Sequence, residues 1–425
     1  MSDLYDALIV GAGPGGATAA AFLARAGRRV LLVDKAPAFP RDKVCGDALS
    51  GKAVDVLRRL ALVPPVEAAP SLPCRGITFS GPKGAEVTIP FSKDLTTPTP
   101  GYVIAREAFD GLVVEAAREA GAEVWTGATV TGLLRANGDT GAVVGARVRR
   151  GGVDEEVRAR VVIGADGAYS VVARELGFTQ LDERHYCAGL RQYVDGVTGF
   201  DTAYNAIELH FVDAVNPGYF WIFPMADGRA NVGLGMLSRD VKRRGVKLKQ
   251  VFEDCLNDPR FAGRFANATR IGKVEGWGLP LGSKPRPMSG DGWLLVGDSA
   301  SIIDPFTGEG IGNAMIAGEI AARHADRAAA TNDASATALA PFDREVMAYL
   351  GRELRISHTL QRLSRWTWLL NAVIGQAARR PALADLISTM FDDEEARAQL
   401  QSPMFYVRAL LGRPAPADRA PRNDA

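Results

Sequence analysis

Residues 5–16 read Tyr5-Asp6-Ala7-Leu8-Ile9-Val10-Gly11-Ala12-Gly13-Pro14-Gly15-Gly16. The apolar run predicts a short strand. It must stop in a turn that only glycine makes at Gly11, leave the backbone bare for a pyrophosphate at Gly13, and let a helix pack on the sheet at Gly16. The alanine-rich run Ala17 to Gly27 predicts that helix, whose unpaired first amides and positive dipole end suit phosphate. A second β-run, Arg29-Val30-Leu31-Leu32-Val33, ends at Asp34, an acceptor placed for an adenosine ribose hydroxyl, with Lys35 beside it. Strand, helix, strand and acid follow one another within about 30 residues, so the unit reads as dinucleotide-binding rather than as a structural glycine turn.

The rest of the chain bounds the alternatives. Its 425 residues, 47% hydrophobic, allow a sizeable core and two joined domains. A net charge of +1 argues against a nucleic-acid binder that works through a basic field. Cys45, Cys74, Cys187 and Cys255 form no CxxC pair and have no histidine at zinc spacing, so they read as reduced thiols of a cytosolic protein. His185, His210, His324 and His358 fall in no catalytic spacing, which speaks against a Ser–His hydrolase. The first apolar stretch carries Asp3 and Asp6 with no basic run before it, unlike a signal peptide, and no run reaches the roughly 20 apolar residues of a membrane span.

Along the chain, Ala36 to Ser50 reads as a long functional loop, and Leu72 to Pro90 as strands with a hairpin tip at Gly81-Pro82-Lys83-Gly84. Arg106 to Ala120 has helical spacing. Hairpin-like runs Gly141 to Val148 and Val153 to Ala159 lead into Arg160-Val161-Val162-Ile163-Gly164-Ala165-Asp166-Gly167. The pattern is β from about Glu183 to Leu237, returns to a strand at Trp293 to Val296, and is almost entirely helical from Gly310 to about Leu400. The expected fold is α/β: a Rossmann-like nucleotide domain in three pieces (1–70, 101–182 and 271–330), an interleaved β-rich substrate domain (71–100 and 183–270), a helical C-terminal region (331–411) and a disordered tail (412–425).

Two further motifs join the first: Gly164-Ala165-Asp166-Gly167 with Ser170 and Arg174, and Gly297-Asp298-Ser299-Ala300 with Asp304-Pro305 and Gly308-Glu309-Gly310-Ile311. The trio resembles the flavoprotein family of the p-hydroxybenzoate hydroxylase type over roughly residues 4 to 325. That resemblance implies non-covalent FAD, with Asp298 accepting from a ribityl hydroxyl. It also implies a helix starting near Gly310 that aims its amides at the pyrimidine end of the flavin, with Gly308 and Ile311 in the same loop. It gives Asp166 a place near the pyrophosphate and Arg106 a flavin-contacting one; helix caps or surface ion pairs are the structural alternatives for both.

Within that superfamily, Arg41-Asp42-Lys43-Val44-Cys45-Gly46-Asp47-Ala48-Leu49 and Pro217-Gly218-Tyr219-Phe220-Trp221-Ile222-Phe223-Pro224 resemble the two signatures of the geranylgeranyl reductase family. Strand alternation puts Tyr219, Trp221 and Phe223 on one face, a broad wall suited to an isoprenoid or simply to a core. Cys45 and Gly46 are expected beside the flavin, with Cys45 in the active site.

The resemblance implies hydride transfer to an isoprenoid double bond with protonation of the other carbon. An unactivated alkene must be held close, kept dry and given stabilisation of developing positive charge, for which the faces of Tyr219 and Trp221 suit. The alternative is a monooxygenase or halogenase acting on an aromatic or polyketide, but no WxWxIP stretch of the halogenase kind occurs. With no second complete Rossmann unit, the electron donor is expected to be NAD(P)H docking transiently or a reduced carrier protein. A last segment, Trp366 to Gly375 flanked by Arg362, Arg365, Arg379 and Arg380, reads either as a membrane-surface helix at the inner face or as a buried helix.

Overall fold

The computed structural model describes residues 4–91, 101–138, 140–178 and 182–380. The expected tail and the helical stretch beyond 380 lie outside the described residues.

The apolar strand Leu4–Val10 forms the middle of a parallel layer. It pairs with Val30–Val33 on one side and with Val153–Gly164 on the other, and Trp293–Leu295 and Glu123–Trp125 extend the layer outward. Both faces are covered, so the central strands are continuous Val, Ile and Leu rather than alternating. The two runs read as separate at 153–159 and 160–163 are one 12-residue strand. Its first half closes an antiparallel hairpin with Val143–Arg150, and its second half lies parallel to Leu4–Val10.

The helix Pro14–Arg25 packs against the 21-residue helix Ile311–Thr331. The approach is so close that a Cβ on Gly318 would stand 2.2 Å from the Gly15 carbonyl oxygen. At Gly11, φ is +100°, in the region where side chains are disfavoured, and a Cβ there would meet the Ala165 carbonyl at 2.4 Å.

A second sheet of seven strands runs Thr269–Pro280, Tyr186–Asp195, Arg229–Leu237, Gly218–Pro224, Ile207–His210, Gly76–Ser80 and Glu86–Pro90. Its two faces separate cleanly. Phe220, Ile222, Val232 and Leu234 pack with Phe252 and Phe261 in one core. Tyr219, Trp221 and Phe223 share the other face with Ile77, Ile89 and Leu209. The strand Thr269–Pro280 was not expected, and it carries this sheet across the expected boundary at 270. Its first five residues are exposed, so apolar alternation is missing there, and pairing to Tyr186–Asp195 holds it instead. The segment Ser71–Cys74 also departs from the expected plan, pairing with Gly101–Ile104 in a small third sheet with Ala48–Leu49.

The helices Pro341–Leu363 and Thr367–Arg379 close one end of the molecule. The second turns Leu369, Ile374 and Ala377 inward and leaves Trp366 and Trp368 54% and 62% exposed. Among the described residues, no helix is long and apolar enough to cross a membrane.

Candidate active site

A continuous cavity of about 1490 Å³ starts at the glycine-rich turn, passes the loop 41–50 and the aromatic wall, and runs on between the second sheet and the C-terminal helices. That exceeds the roughly 300–1,000 Å³ of an ordinary small-ligand pocket, leaving room for a dinucleotide and a second molecule. Its far arm is lined by apolar side chains, among them Phe79, Ile89, Leu209, Leu369 and Ile374.

At the nucleotide end, a Cβ on Gly13 would have only Arg41 Nη2 within 4.0 Å, so the space above this residue is open cavity. Gly16 has the opposite surroundings: a Cβ would stand 1.9 Å from the Gly11 oxygen and 2.9 Å from Ala165 Cβ. Asp34 is buried and holds the turn itself, accepting from the Ala12 and Ala36 amides at 2.8 Å each. Each oxygen keeps a lone pair for a ligand hydroxyl. Lys35 is exposed at the cavity rim.

Asp166 borders the cavity, but its carboxylate caps the helix Val171–Glu175. It accepts from Ser170 Oγ at 2.5 Å and from the amides of Val171 and Val172 at 2.6 and 3.2 Å. The geometry there is that of the helix cap weighed as its alternative. Arg106 also has a structural partner, a bidentate pair with buried Asp110 at 2.6 and 2.8 Å. Burial works against its charge, and Asp110 and Cys45 more than offset this, so the guanidinium stays firmly protonated.

Asp298 differs from both. It lines the cavity, and its carboxylate has no hydrogen-bond partner among the described residues. Burial raises its carboxyl above the usual range, opposed by Lys43 and Arg106. The loop that follows brings Gly308, with φ +74°, to within 3.0 Å of the Tyr219 hydroxyl when a Cβ is placed on it. Tyr219 donates that hydroxyl to the Thr307 carbonyl. Gly310 caps the helix Ile311–Thr331, and a Cβ on it would lie 3.8 Å from Asp298 Oδ1. Ile311 is buried at the start of the helix. One early amide, that of Gly312, is taken by Glu309 at 2.5 Å, so the dipole end is only partly free for a ligand.

The loop 41–50 and the second sheet bring Cys45, Gly46, Tyr219, Trp221 and Phe223 to this same cavity. A Cβ on Gly46 would touch the Phe223 ring at 3.1 Å. Tyr219 meets Trp221 edge-on at 6.1 Å, and Trp221 lies 6.2 Å from Phe223. Burial pushes the Cys45 thiol up, while the neighbouring Arg106 guanidinium and the Asp47 backbone amide act against it.

Three residues in or near the wall were missed in the sequence. Lys43 extends its Nζ over the Trp277 ring at 3.2 Å without a hydrogen bond, and burial lowers it to about 7. Asp47 is fully buried with φ +66° and raised by burial to about 6. Asn231 is fully buried and stands alone as a polar residue in the run Ala230 to Leu237, which is the one signal that marked it in advance. A Ser80–His210–Glu208 chain, with links of 2.7 and 3.0 Å, also escaped notice. It is sealed in the protein and does not border the cavity.

The open cradle at Gly13, the unpartnered Asp298 and the size of the cavity fit FAD. Residues 4–317 match the FAD binding domain family. A digeranylgeranylglycerophospholipid reductase of Methanoculleus marisnigri is 34% identical over 81% of this chain and 82% of its own. A menaquinone reductase of Mycobacterium tuberculosis is also 34% identical, over 77% and 78%. The crystal structure of a geranylgeranyl bacteriochlorophyll reductase-like protein from Thermoplasma acidophilum superposes with a TM-score of 0.77 at 26% identity, covering 96% of this chain and 98% of that one. With the glycine turn, the Cys45 loop and the aromatic strand meeting on one cavity, the chain belongs to the geranylgeranyl reductase family of FAD-dependent oxidoreductases.

Proposed function

We propose that the chain saturates carbon–carbon double bonds in the prenyl tail of a lipid or quinone. The observation that carries this reading is the continuity of one cavity from the glycine turn, past Tyr219 and Trp221, into an arm lined by apolar side chains. FAD, when bound, supplies the hydride. Gly13, Asp34 and Asp298 hold the cofactor, with Lys35, Gly308, Gly310 and Ile311 around it.

The chain's own contribution is placement. The apolar arm takes the tail and excludes water, and the wall fixes one double bond across the cavity. The faces of Tyr219 and Trp221 stabilise the positive charge that develops on the carbon awaiting the hydride as the other carbon takes up a proton. Cys45 carries that proton. The Arg106 guanidinium and the Asp47 amide act against the rise that burial causes, and so stabilise the thiolate once the proton has gone. The electron donor is NAD(P)H or a reduced carrier protein, docking transiently.

A tail of this kind reaches the site from a bilayer. The exposed Trp366 and Trp368, with exposed Arg362, Arg379 and Arg380, form a surface for anionic headgroups. Arg365 takes no part, being paired with buried Asp240 at 2.7 Å.

The test begins anaerobically. The bound flavin is reduced by dithionite or NADPH and mixed with a prenyl lipid without oxygen or, in a parallel sample, with the lipid and oxygen together, and products are weighed. The expected result is flavin reoxidation with products heavier by two hydrogens per bond reduced. Reoxidation by oxygen alone, with an oxygenated product, would overturn the reading.

A further inference from the structure

We propose that Asn231 is a positioning residue that ties the indole of Trp221 to the Cys45 loop, so that the substrate wall and the thiol are held as one unit. This rests on the reading of Trp221 as part of that wall. Asn231 does not line the cavity, so it acts through its neighbours. Its Oδ1 accepts from Trp221 Nε1 at 2.9 Å, and its Nδ2 donates to the Cys45 carbonyl at 2.7 Å and to Asp47 Oδ2 at 2.8 Å. Both amide hydrogens and the oxygen are thereby used, in a fully buried setting where each lost bond leaves an orphaned partner.

The register explains how one side chain reaches both. Asn231 faces Phe223 across the strand pair, and Trp221 faces Gly233, so the amide meets the indole diagonally. The ring lies flat over the neighbouring strand because Gly233 has no side chain; a Cβ there would stand 2.2 Å from Trp221 Cζ2. On the loop side, Asp47 also accepts from Tyr193 Oη at 2.7 Å and from the Arg106 amide at 3.3 Å. The indole therefore cannot tilt without breaking its bond to the side chain that also anchors Cys45.

The experiment uses the holoenzyme with a prenyl lipid substrate and compares N231A, W221F and the double variant. W221F keeps a ring but loses the N–H. Expected for N231A is a fall in kcat of about 10–100-fold, the scale of a small misplacement at a reacting centre. KM should move less than about 3-fold, and FAD content should match the wild type. The losses in the double variant should combine to clearly less than the product of the two single losses, since both variants break the Asn231–Trp221 link.

N231D supplies a second, independent readout. It keeps the acceptor for the indole but sets a carboxylate against the Cys45 carbonyl and Asp47, so only its protonated form donates. Around it stand Asp47, Tyr193, Arg106, Arg191 and Cys45. Its kcat relative to wild type should rise as the pH falls. If N231A does not accumulate as folded holoenzyme, N231D replaces it in the cycle. Additive losses, parallel loss of FAD and kcat, or a pH-independent N231D would overturn the role of Asn231. A W221A enzyme that turns over normally would instead sink the wall reading itself.

Discussion

Gly13 and Gly16 lie three residues apart in one turn, yet a single methyl group should act on different properties at each. Gly13 has φ −74° and ψ −178°, a conformation open to alanine, and a Cβ there meets nothing closer than 4.0 Å. The fold of Gly13→Ala apoprotein should stay within about 1 kcal/mol of wild type, the size of glycine-to-alanine effects at compatible positions. Its methyl projects into the cavity, where a pyrophosphate must touch the backbone. Losing one or two charge-assisted hydrogen bonds, about 1.5–3 kcal/mol each, raises the FAD dissociation constant about 100-fold.

Gly16→Ala drives its methyl onto the Gly11 oxygen at 1.9 Å, so the turn itself must shift and the apoprotein melts early. The assay is titration of apoprotein with FAD by flavin fluorescence, beside a thermal melt without cofactor. Wild-type affinity in Gly13→Ala, or a melt that collapses as Gly16→Ala does, would refute the cradle.

Four further outcomes can be checked. Cys45→Ala should lower turnover about 100-fold or more, as for loss of a general acid, while flavin absorbance per chain hardly changes. Asp298→Ala should weaken FAD binding about 10–100-fold by equilibrium dialysis, the loss of one hydrogen bond to a charged group. Asp47 is raised from 3.8 to about 6, so its contribution to stability is full below about pH 4 and lost as the pH rises through about 6, up to about 3 kcal/mol. Urea melts of wild type and Asp47→Asn should therefore diverge across pH 4 to 6 and run parallel above it. Trp366→Ser with Trp368→Ser, both exposed, should leave the melt unchanged and weaken binding to anionic liposomes at low salt; absent wild-type binding would remove the membrane surface.

What could be read in the sequence was local. The glycine turn is a few residues long, and each glycine answers to backbone geometry within that span, or to a helix or strand beside it. The aromatic face followed from strand parity alone, since Tyr219, Trp221 and Phe223 alternate with Phe220 and Ile222. Pairing between distant segments was not legible. Nothing near Trp221 announces that Gly233 lies opposite it, and nothing near Cys45 announces Asn231, 186 residues away. Asp166 shows the converse limit, because a motif marks where an acid stands and not which donors reach it first. Thr269–Pro280 was missed because its exposed half lacks the alternation by which strands are recognised.

The undivided cavity imposes an order of assembly. Among the described residues nothing walls off the seat of the cofactor from the apolar arm, so a detergent or membrane lipid that enters before the flavin can lie across the aromatic wall and occupy part of that seat. Flavin loaded during biosynthesis would in turn set the floor against which the tail comes to rest. Recombinant protein recovered in detergent would then be flavin-poor for reasons of filling sequence rather than of folding, and reconstitution would succeed when the cofactor is offered before the amphiphile.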